Sequence, residues 1–496
     1  MVILCSKSCG MLEQYFSSFR ENIIGIDAHF ETPFGWKKMI YADWIASGRL
    51  YAPIENKMVS CFGPFVGNTH SETTETGTRM TKAYQWSHQF IKKQVNAGPD
   101  DVIITSGTGM TDVVNKFQRI LGLKYCGKVA HNKCLGERKK PVVFLTHMEH
   151  HSNQTSWYET FSDVVVLPPG KGLLVDPEIL RAELEKYKDR ELKIGSFTAC
   201  SNVTGIRTPV HRLAKIVHEY GGVVFVDYAA SAPYDEINMH PGDPMERLDA
   251  VMFSPHKFLG GPGSSGVLIF NSNMYRNEAP DNPGGGTVNW TNPWGKYSYV
   301  GNIEEREDGG TPGFLQSIRT ALCFELKNQM GIEKIHAREE ELLAQAFRGF
   351  DSIPEVKILA SEHRDRLGII SFYVEGIHYN LLVRLLNDLY GIQTRGGCAC
   401  AGTYGHYLLE MSYEKSQEIT ELIDHGDLSV KPGWVRWSIH PTTTGEEVET
   451  MIGAVKEIIG NIGKYSAQYI YDKHHNHFKH QNEASQNYLI EDWFGL

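Results

Sequence analysis

Residues 251–270 read Val251-Met-Phe-Ser254-Pro-His256-Lys257-Phe-Leu-Gly-Gly-Pro-Gly-Ser-Ser-Gly-Val-Leu-Ile-Phe270. An apolar strand runs into Ser-Pro-His-Lys, and a glycine-rich turn leads to a second apolar strand, an order that presents one lysine at a strand end. A lysine held there, desolvated and near an aldehyde, loses its proton and forms a Schiff base with a carbonyl cofactor. Ser254 and His256 add hydrogen-bonding groups beside it, and the glycines let the backbone approach closely. The same letters also suit a lysine in an ordinary strand-connecting loop.

Upstream, Gly222-Val-Val-Phe-Val-Asp227-Tyr-Ala-Ala-Ser231 ends an apolar run in a carboxylate. A buried strand-end Asp needs a cationic partner, and the protonated pyridine nitrogen of pyridoxal phosphate is one. A helix cap or an ion pair with Arg or Lys are the other readings. The order Asp227 then Lys257 at two successive strand ends favours the cofactor. A phosphate cradle is legible in Asp101-Val-Ile-Ile-Thr-Ser-Gly-Thr108-Gly109-Met-Thr-Asp112-Val-Val-Asn-Lys-Phe117, where a strand meets a Gly and hydroxyl turn and then a helical pattern. Amides at a helix N-terminus with Ser and Thr hydroxyls bind anions. The Gly-Lys-Ser/Thr ending of a Walker A loop is missing, and ordinary capping chemistry has the same composition.

These segments, with four more in the same order, resemble the class V aminotransferase superfamily of fold-type I pyridoxal-phosphate enzymes, closest to its cysteine desulfurase and selenocysteine lyase branch. The resemblance spans roughly residues 40 to 460. Thr105–Gly109 is similar to the family's phosphate turn, and Met148-Glu-His150-His151-Ser-Asn153 to its Glu-His-His-Ala-Asn segment. Ser201-Asn202-Val-Thr-Gly205 is similar to its Ser-Asn-Val-x-Gly stretch. The resemblance implies that Lys257 is the Schiff-base lysine, that Asp227 is the pyridinium partner, and that Ser254 and His256 bind phosphate. It also implies that His150 stacks on the ring and exchanges protons, and that Asn202 reaches cofactor and substrate. Gly309-Gly-Thr311-Pro312 resembles a loop that crosses a homodimer interface to the partner's phosphate.

Reaction type turns on Gly391-Ile-Gln-Thr-Arg395-Gly-Gly-Cys398-Ala-Cys400-Ala-Gly-Thr-Tyr404. It resembles the Arg-x-Gly-His-x-Cys-Ala loop of group II desulfurases, and Cys400 has the sulfur-accepting cysteine's spacing from Arg395. A thiol on a glycine-rich loop near cations can be a thiolate and attack sulfur. Arg436, in Gly433-Trp-Val-Arg436-Trp-Ser-Ile-His440, falls where the family binds the substrate carboxylate, a task a guanidinium fork suits. Three positions depart from the pattern. Ala230 replaces the Gln or His that hydrogen-bonds the cofactor's phenolic oxygen, Gly109 replaces a threonine, and Cys398 replaces a histidine. The expected activity is removal of sulfur from L-cysteine, leaving L-alanine and a persulfide on Cys400. The alternatives are a transaminase, epimerase or beta-eliminating lyase acting on another amino acid, or a binding scaffold that has kept the fold without catalysis.

A net charge of −10 over 496 residues gives no reason to expect nucleic-acid binding. With 41% hydrophobic and 22% charged residues the composition is that of a soluble globular protein. No apolar run reaches membrane-spanning length, and the N-terminus has neither a secretory nor a transit pattern. Nine cysteines without a spaced framework suggest reduced thiols and a cytoplasmic setting.

Strand runs at 102–104, 142–145, 164–167, 223–226, 251–253 and 267–270 alternate with helical patterns such as 177–187 and 210–220, which predicts a mostly parallel α/β sheet. The resemblance makes it a large domain with a seven-stranded sheet over residues 45–325, plus a smaller α+β domain from 1–44 and 326–465. Residues 276–313 read as a long loop region rather than a linker, of a kind that is often functional in compact domains, and 314–348 as one long helical pattern. Lys124–Lys140 reads as a basic surface insertion, and 466–496 as a polar tail whose His-rich part, 473–480, is solvated or binds a metal. No catalytic metal is expected.

Overall fold

The computed structural model describes residues 2–124, 139–482 and 493–495. Seven strands, β1 (Asp101–Ser106), β2 (Val142–Leu145), β3 (Asp163–Val166), β4 (Lys193–Thr198), β5 (Val223–Asp227), β6 (Ala250–Phe253) and β7 (Gly266–Asn271), form one sheet in the order β1-β7-β6-β5-β4-β2-β3. β2 to β6 run parallel to one another, and β7 is antiparallel to both β6 and β1. This is the mostly parallel seven-stranded α/β sheet that the resemblance implies. Both faces are covered, so alternate residues of one strand enter different cores. Val142 and Phe144 of β2 pack on one side and Val143 and Leu145 on the other, while Val224 and Val226 of β5 oppose Phe225. Phe117 of helix α1 (Met110–Ile120) meets Phe225 and Phe270 at ring-centroid distances of 4.8 and 4.9 Å.

Strand β4, Lys-Ile-Gly-Ser-Phe-Thr, is the one sheet member that apolar runs do not announce. It is buried throughout, its polar side chains satisfied locally: Lys193 Nζ donates to the carbonyls of Lys188 and Arg190, and Ser196 Oγ donates to Asn153 Oδ1. The helical pattern from residue 314 is two helices in the structure, one at Phe314–Met330 and one at Ile332–Asp351, separated by Gly331 in the left-handed region (φ 77°). The segment 276–313 holds a small hairpin, Val288–Thr291 with Tyr297–Tyr299, and a short helix at Ile303–Arg306. Most of the expected 124–140 insertion lies outside the described residues.

A second sheet, in the order β8 (Val356–Ile358), β9 (Ile369–Val374), β11 (Trp434–Ser438), β10 (Arg395–Gly397), is wholly antiparallel. Its core joins Ile370, Phe372 and Trp437 to Leu382 and Leu386 of helix α2 (Tyr379–Tyr390). Beyond residue 466 two strands, β12 (Tyr469–Asp472) and β13 (His477–His480), pair as a hairpin with Tyr469 and His480 buried, so this part of the expected polar tail is folded. Among the described residues no helix is long and apolar enough to cross a membrane.

The N-terminal segment is stitched to this second unit. Ile40 and Tyr41 pair in parallel with Ile392 and Gln393, and Asp43 bridges to Ser438. Gly391 makes the stitch possible. It ends α2 in the left-handed region (φ 74°), its carbonyl accepts Ile40 N–H at 3.0 Å, and a Cβ there would stand 2.0 Å from the Lys38 carbonyl oxygen. Gly376 has a similar φ of 77° with open space around it. The left-handed conformation alone costs a non-glycine residue ~1–2 kcal/mol. Gly391→Ala therefore lowers the thermal midpoint clearly more than Gly376→Ala in parallel melts. Equal losses would show that the contact with Lys38 carries no weight.

Candidate active site

At the carboxyl ends of β1, β5 and β6 lies a cavity of about 240 Å³. Ligands collect at such strand ends in open α/β sheets. Lys257 sits in its wall on a tight turn, Pro255–Lys257, directly after β6, and Asp227 closes β5 next to it. Burial pulls the Lys257 amine down from 10.5 to about 8; Asp227 opposes this, and the guanidiniums of Arg436 and Arg395 reinforce it. Burial also pushes the Asp227 carboxyl up to about 6, against the Ala229 N–H it accepts at 2.8 Å and the charge of Lys257. Both groups are thus moved toward neutrality by the same loss of water.

The turn after β1 delivers the N-terminus of α1 to the cavity. Met110 N–H donates to Ser254 Oγ at 2.8 Å, which ties this turn to the Lys257 segment. Thr108 does not stand open as an anion donor: its N–H and hydroxyl both donate to Asp112 Oδ2, at 2.8 and 3.2 Å. The remaining cradle is the helix N-terminus around Gly109, with Ser254 and His256 facing the same space. His256 is held down to about 4 by burial and by Lys257.

His150 caps the N-terminus of the helix His151–Tyr158. Its Nδ1 accepts the Ser152 N–H at 3.1 Å, so the neutral ring carries its proton on Nε2. Burial, then Lys257, His151 and the two arginines, hold it near 3, uncharged at neutral pH. Beneath it, buried Glu149 accepts from Thr146 N–H and hydroxyl, Asn153 Nδ2 and Thr198 N–H, which fixes the ends of β2 and β4 relative to each other.

The loop bearing Cys398 and Cys400 is pinned from two sides. His151 N–H donates to the Cys400 carbonyl at 2.8 Å, Gly402 N–H donates to His151 Nε2 at 2.9 Å, and Asn202 Nδ2 donates to the Ala399 carbonyl at 2.7 Å. Ala399 and Cys400 are both left-handed, with φ of 50° and 57°. Cys400 lines the Lys257 cavity, whereas Cys398 lines a separate, mainly apolar cavity of about 160 Å³ beside Trp434.

Arg395 and Arg436 are register partners on β10 and β11, and both reach the cavity. Arg436 is 3% exposed; its Nη2 lies 2.7 Å from Asp43 Oδ1 and its Nη1 donates to the Asn202 carbonyl at 3.3 Å. Burial lowers its pKa, and Asp43 counters that. The structure therefore gathers Lys257, Cys400, His150, Thr108, Gly109, Asn202, Asp227, Ser254, His256, Arg395 and Arg436 around one space. Thr311 is not among them. It is exposed, its hydroxyl 3.3 Å from Asn68 Oδ1.

Sequence reasoning gave no role to Asp43, His151, Glu149 or Gly48. Gly48 N–H donates to the His256 carbonyl at 2.9 Å, and a Cβ there would lie 1.9 Å from the Phe258 carbonyl oxygen, so only glycine lets this segment cross behind Lys257. The available signal was the run Asp43-Trp-Ile-Ala-Ser-Gly48, an acidic and glycine-bearing stretch inside an apolar context.

The residues fit pyridoxal phosphate. Asn202 Oδ1 and Arg436 Nε are buried, belong to cavity residues and have no hydrogen-bond partner in the protein. A lysine, a buried carboxylate, a neutral histidine and a helix N-terminus are the donor set that an aldehyde, a pyridinium, an aromatic ring and a phosphate require.

Comparison with known proteins agrees. A probable cysteine desulfurase of Halobacterium salinarum is 26% identical over 436 residues, covering 85% of this chain and 92% of its own. A cysteine desulfurase of Haloferax volcanii is 24% identical over 415 residues, covering 78% and 88%. The apo structure of a cysteine desulfurase from Thermococcus onnurineus shares the fold with a TM-score of 0.71 at 21% identity, covering 90% of this chain and 98% of that one. The family model for aminotransferase class-V matches residues 40–451, and the chain belongs to that enzyme family.

Proposed function

We propose that the chain is a pyridoxal-phosphate enzyme that removes sulfur from L-cysteine, giving L-alanine and a persulfide on Cys400. The observation that carries this reading is the placement of Cys400 and Lys257 in the walls of one cavity, with the thiol-bearing loop pinned by His151 and Asn202. Relatives of similar length that are named cysteine desulfurases support it.

Bound at Lys257, the cofactor supplies an aldehyde for amines and a ring that takes up electrons released at the substrate's Cα. The chain does the rest. Asp227 would face the ring nitrogen and hold a positive charge on it. Arg436, held rigid by Asp43, offers its free Nε edge to the substrate carboxylate, with Arg395 across the strand pair. Lys257 would take and return the Cα proton, a role suited to an amine near 8. His150 stays neutral and presents Nε2–H. The Cys400 thiolate attacks the substrate sulfur; the Cβ–S bond breaks, its electron pair remains on carbon and is protonated, and a sulfur–sulfur bond forms on Cys400.

A second reading, a transaminase, epimerase or beta-eliminating lyase, is favoured by Ala230, a small apolar residue lining the cavity where the resemblance expects Gln or His. We further place the reaction in a cytoplasmic homodimer with a large domain at 45–325 and a small one at 1–44 and 326–465. Thr311 would reach the partner's phosphate site, and a protein would receive the sulfur.

Lys257 controls cofactor capture. Uptake of pyridoxal phosphate by the apoprotein, followed by visible absorbance, rises with pH and levels off just above about 8, because the free amine reacts and its ammonium form does not. Borohydride then fixes the label on Lys257, and Lys257→Ala takes up none covalently. A rate still climbing at pH 10 would mean an ordinary, hydrated lysine.

Cys400→Ser binds cofactor normally but loses sulfide release from cysteine by about a hundredfold or more, whereas Cys398→Ser loses little. Wild-type release by Cys400→Ser, or faster turnover of a sulfur-free amino acid by the wild type, would favour the second reading. Sedimentation of the holoprotein gives a dimer, and a monodisperse monomer with full cofactor would rule out the Thr311 assignment.

A further inference from the structure

The β12–β13 hairpin brings three metal-type ligands together far along the chain from the cysteine loop. One ligand atom each from Asp472, His475 and His477 lies within 4.8 Å of the other two. Asp472 and His477 are register partners across the hairpin, and His475 sits in the turn between them. His475 Nδ1 is 2.8 Å from Asp472 Oδ2, and the rings of His475 and His477 are 5.6 Å apart between centroids. All three remain open to solvent, so an ion has an entry path.

The turn that holds them is closely hydrogen-bonded. Asp472 Oδ1 accepts the N–H groups of His474 and His475 at 3.0 and 3.3 Å, which leaves Oδ2 facing the imidazoles. Asn476, left-handed at φ 52°, is held by Tyr471 OH at 2.8 Å, and its Nδ2 donates to Tyr379 OH on α2 at 2.7 Å. Preorganised ligands lose little freedom on closing around an ion. His474, the neighbouring imidazole, points elsewhere, its Nδ1 2.9 Å from the Gly426 carbonyl.

We propose that Asp472, His475 and His477 bind a divalent transition metal ion of the zinc type, with water completing the coordination. Two imidazoles and one carboxylate match zinc and its first-row neighbours, whereas magnesium and calcium prefer all-oxygen sets. In a tetrahedral zinc site ligand atoms lie about 2.0–2.2 Å from the ion, so small rotations of the exposed His475 and half-buried His477 side chains close the present spacing. The bound ion braces the turn against α2, whose Tyr379 ring packs beside Gly433, just before β11, and beside Gly396 of the sheet that carries the cysteine loop. The site is therefore structural, apart from the chemistry at Lys257.

The test uses the full-length, tag-free holoprotein under a phosphine reductant, titrated with zinc chloride against a chromophoric chelator. The wild type takes up one more equivalent of zinc than His475→Ala/His477→Ala. Each single variant weakens that equivalent by more than about tenfold, and His474→Ala leaves it unchanged. Zinc raises the thermal midpoint of the wild type and of His474→Ala, but not of the double variant. Magnesium at the same concentration does neither. Equal zinc uptake by wild type and double variant would overturn the proposal, as would a loss in His474→Ala matching that in His475→Ala.

Discussion

Loss of water at the ends of β5 and β6 is the constraint on which the site depends. A lysine and an aspartate placed on those strand ends in bulk solvent would both be fully charged and chemically idle at neutral pH. Packed against the apolar strands Val224–Val226 and Val251–Phe253, each is pushed toward its neutral form, Lys257 to about 8 and Asp227 to about 6. The same desolvation holds His150 and His256 uncharged. Burial is the largest cause at all four, ahead of any single neighbouring charge. The apolar core is thus part of the chemistry, since it sets how readily the amine can act as a nucleophile.

That desolvated pocket needs a lid of backbone, and the N-terminal segment provides it. Residues 40–43 pair along the 392–393 edge and reach Ser438, and Gly48 then crosses behind His256 and Phe258. Along this path Asp43 meets Arg436. Removing a partner from a buried arginine leaves an uncompensated charge, at a cost of about 3–5 kcal/mol. The pair therefore fixes where the guanidinium points and ties the N-terminal segment to the second sheet. At Gly391 and Gly48, on this path, the backbone approaches too closely to leave room for a side chain.

The fold was legible in the sequence wherever hydrophobic patterning is strong. Strands such as Val142–Leu145 and Val267–Phe270 are apolar on both faces because both faces are covered, and strand-end Asp227 and Lys257 follow from that pattern. Lys193–Thr198 escaped because its burial rests on side-chain hydrogen bonds to the 188–190 turn and to Asn153, which no local pattern encodes. The helix break at Gly331 was hidden because apolar spacing continues across it. At the site, motif residues with their own chemistry were found, while Asp43 and His151 were not given roles. Their partners Arg436 and Gly402 lie hundreds of residues away, and a contact across that separation leaves no trace in spacing. Thr108 shows the opposite case. The motif offers its hydroxyl and amide to a phosphate, yet Asp112 one helical turn later takes both.

The cysteine loop shows how backbone geometry assigns different tasks to two nearly adjacent thiols. Two consecutive non-glycine residues in the left-handed region are uncommon, each costing ~1–2 kcal/mol, so the loop persists only because other contacts hold it. Three do: the carbonyls of Ala399 and Cys400 are taken by Asn202 and His151, and Gly402 donates back to the His151 ring. The left-handed pair reverses the chain direction between the two sulfurs. Cys398 consequently faces the apolar space beside Trp434, while Cys400 faces Lys257. An extended backbone would send residues two apart to the same side. The strain stored at Ala399 and Cys400 is therefore what separates the thiols and leaves Cys400 in the cavity wall with the lysine.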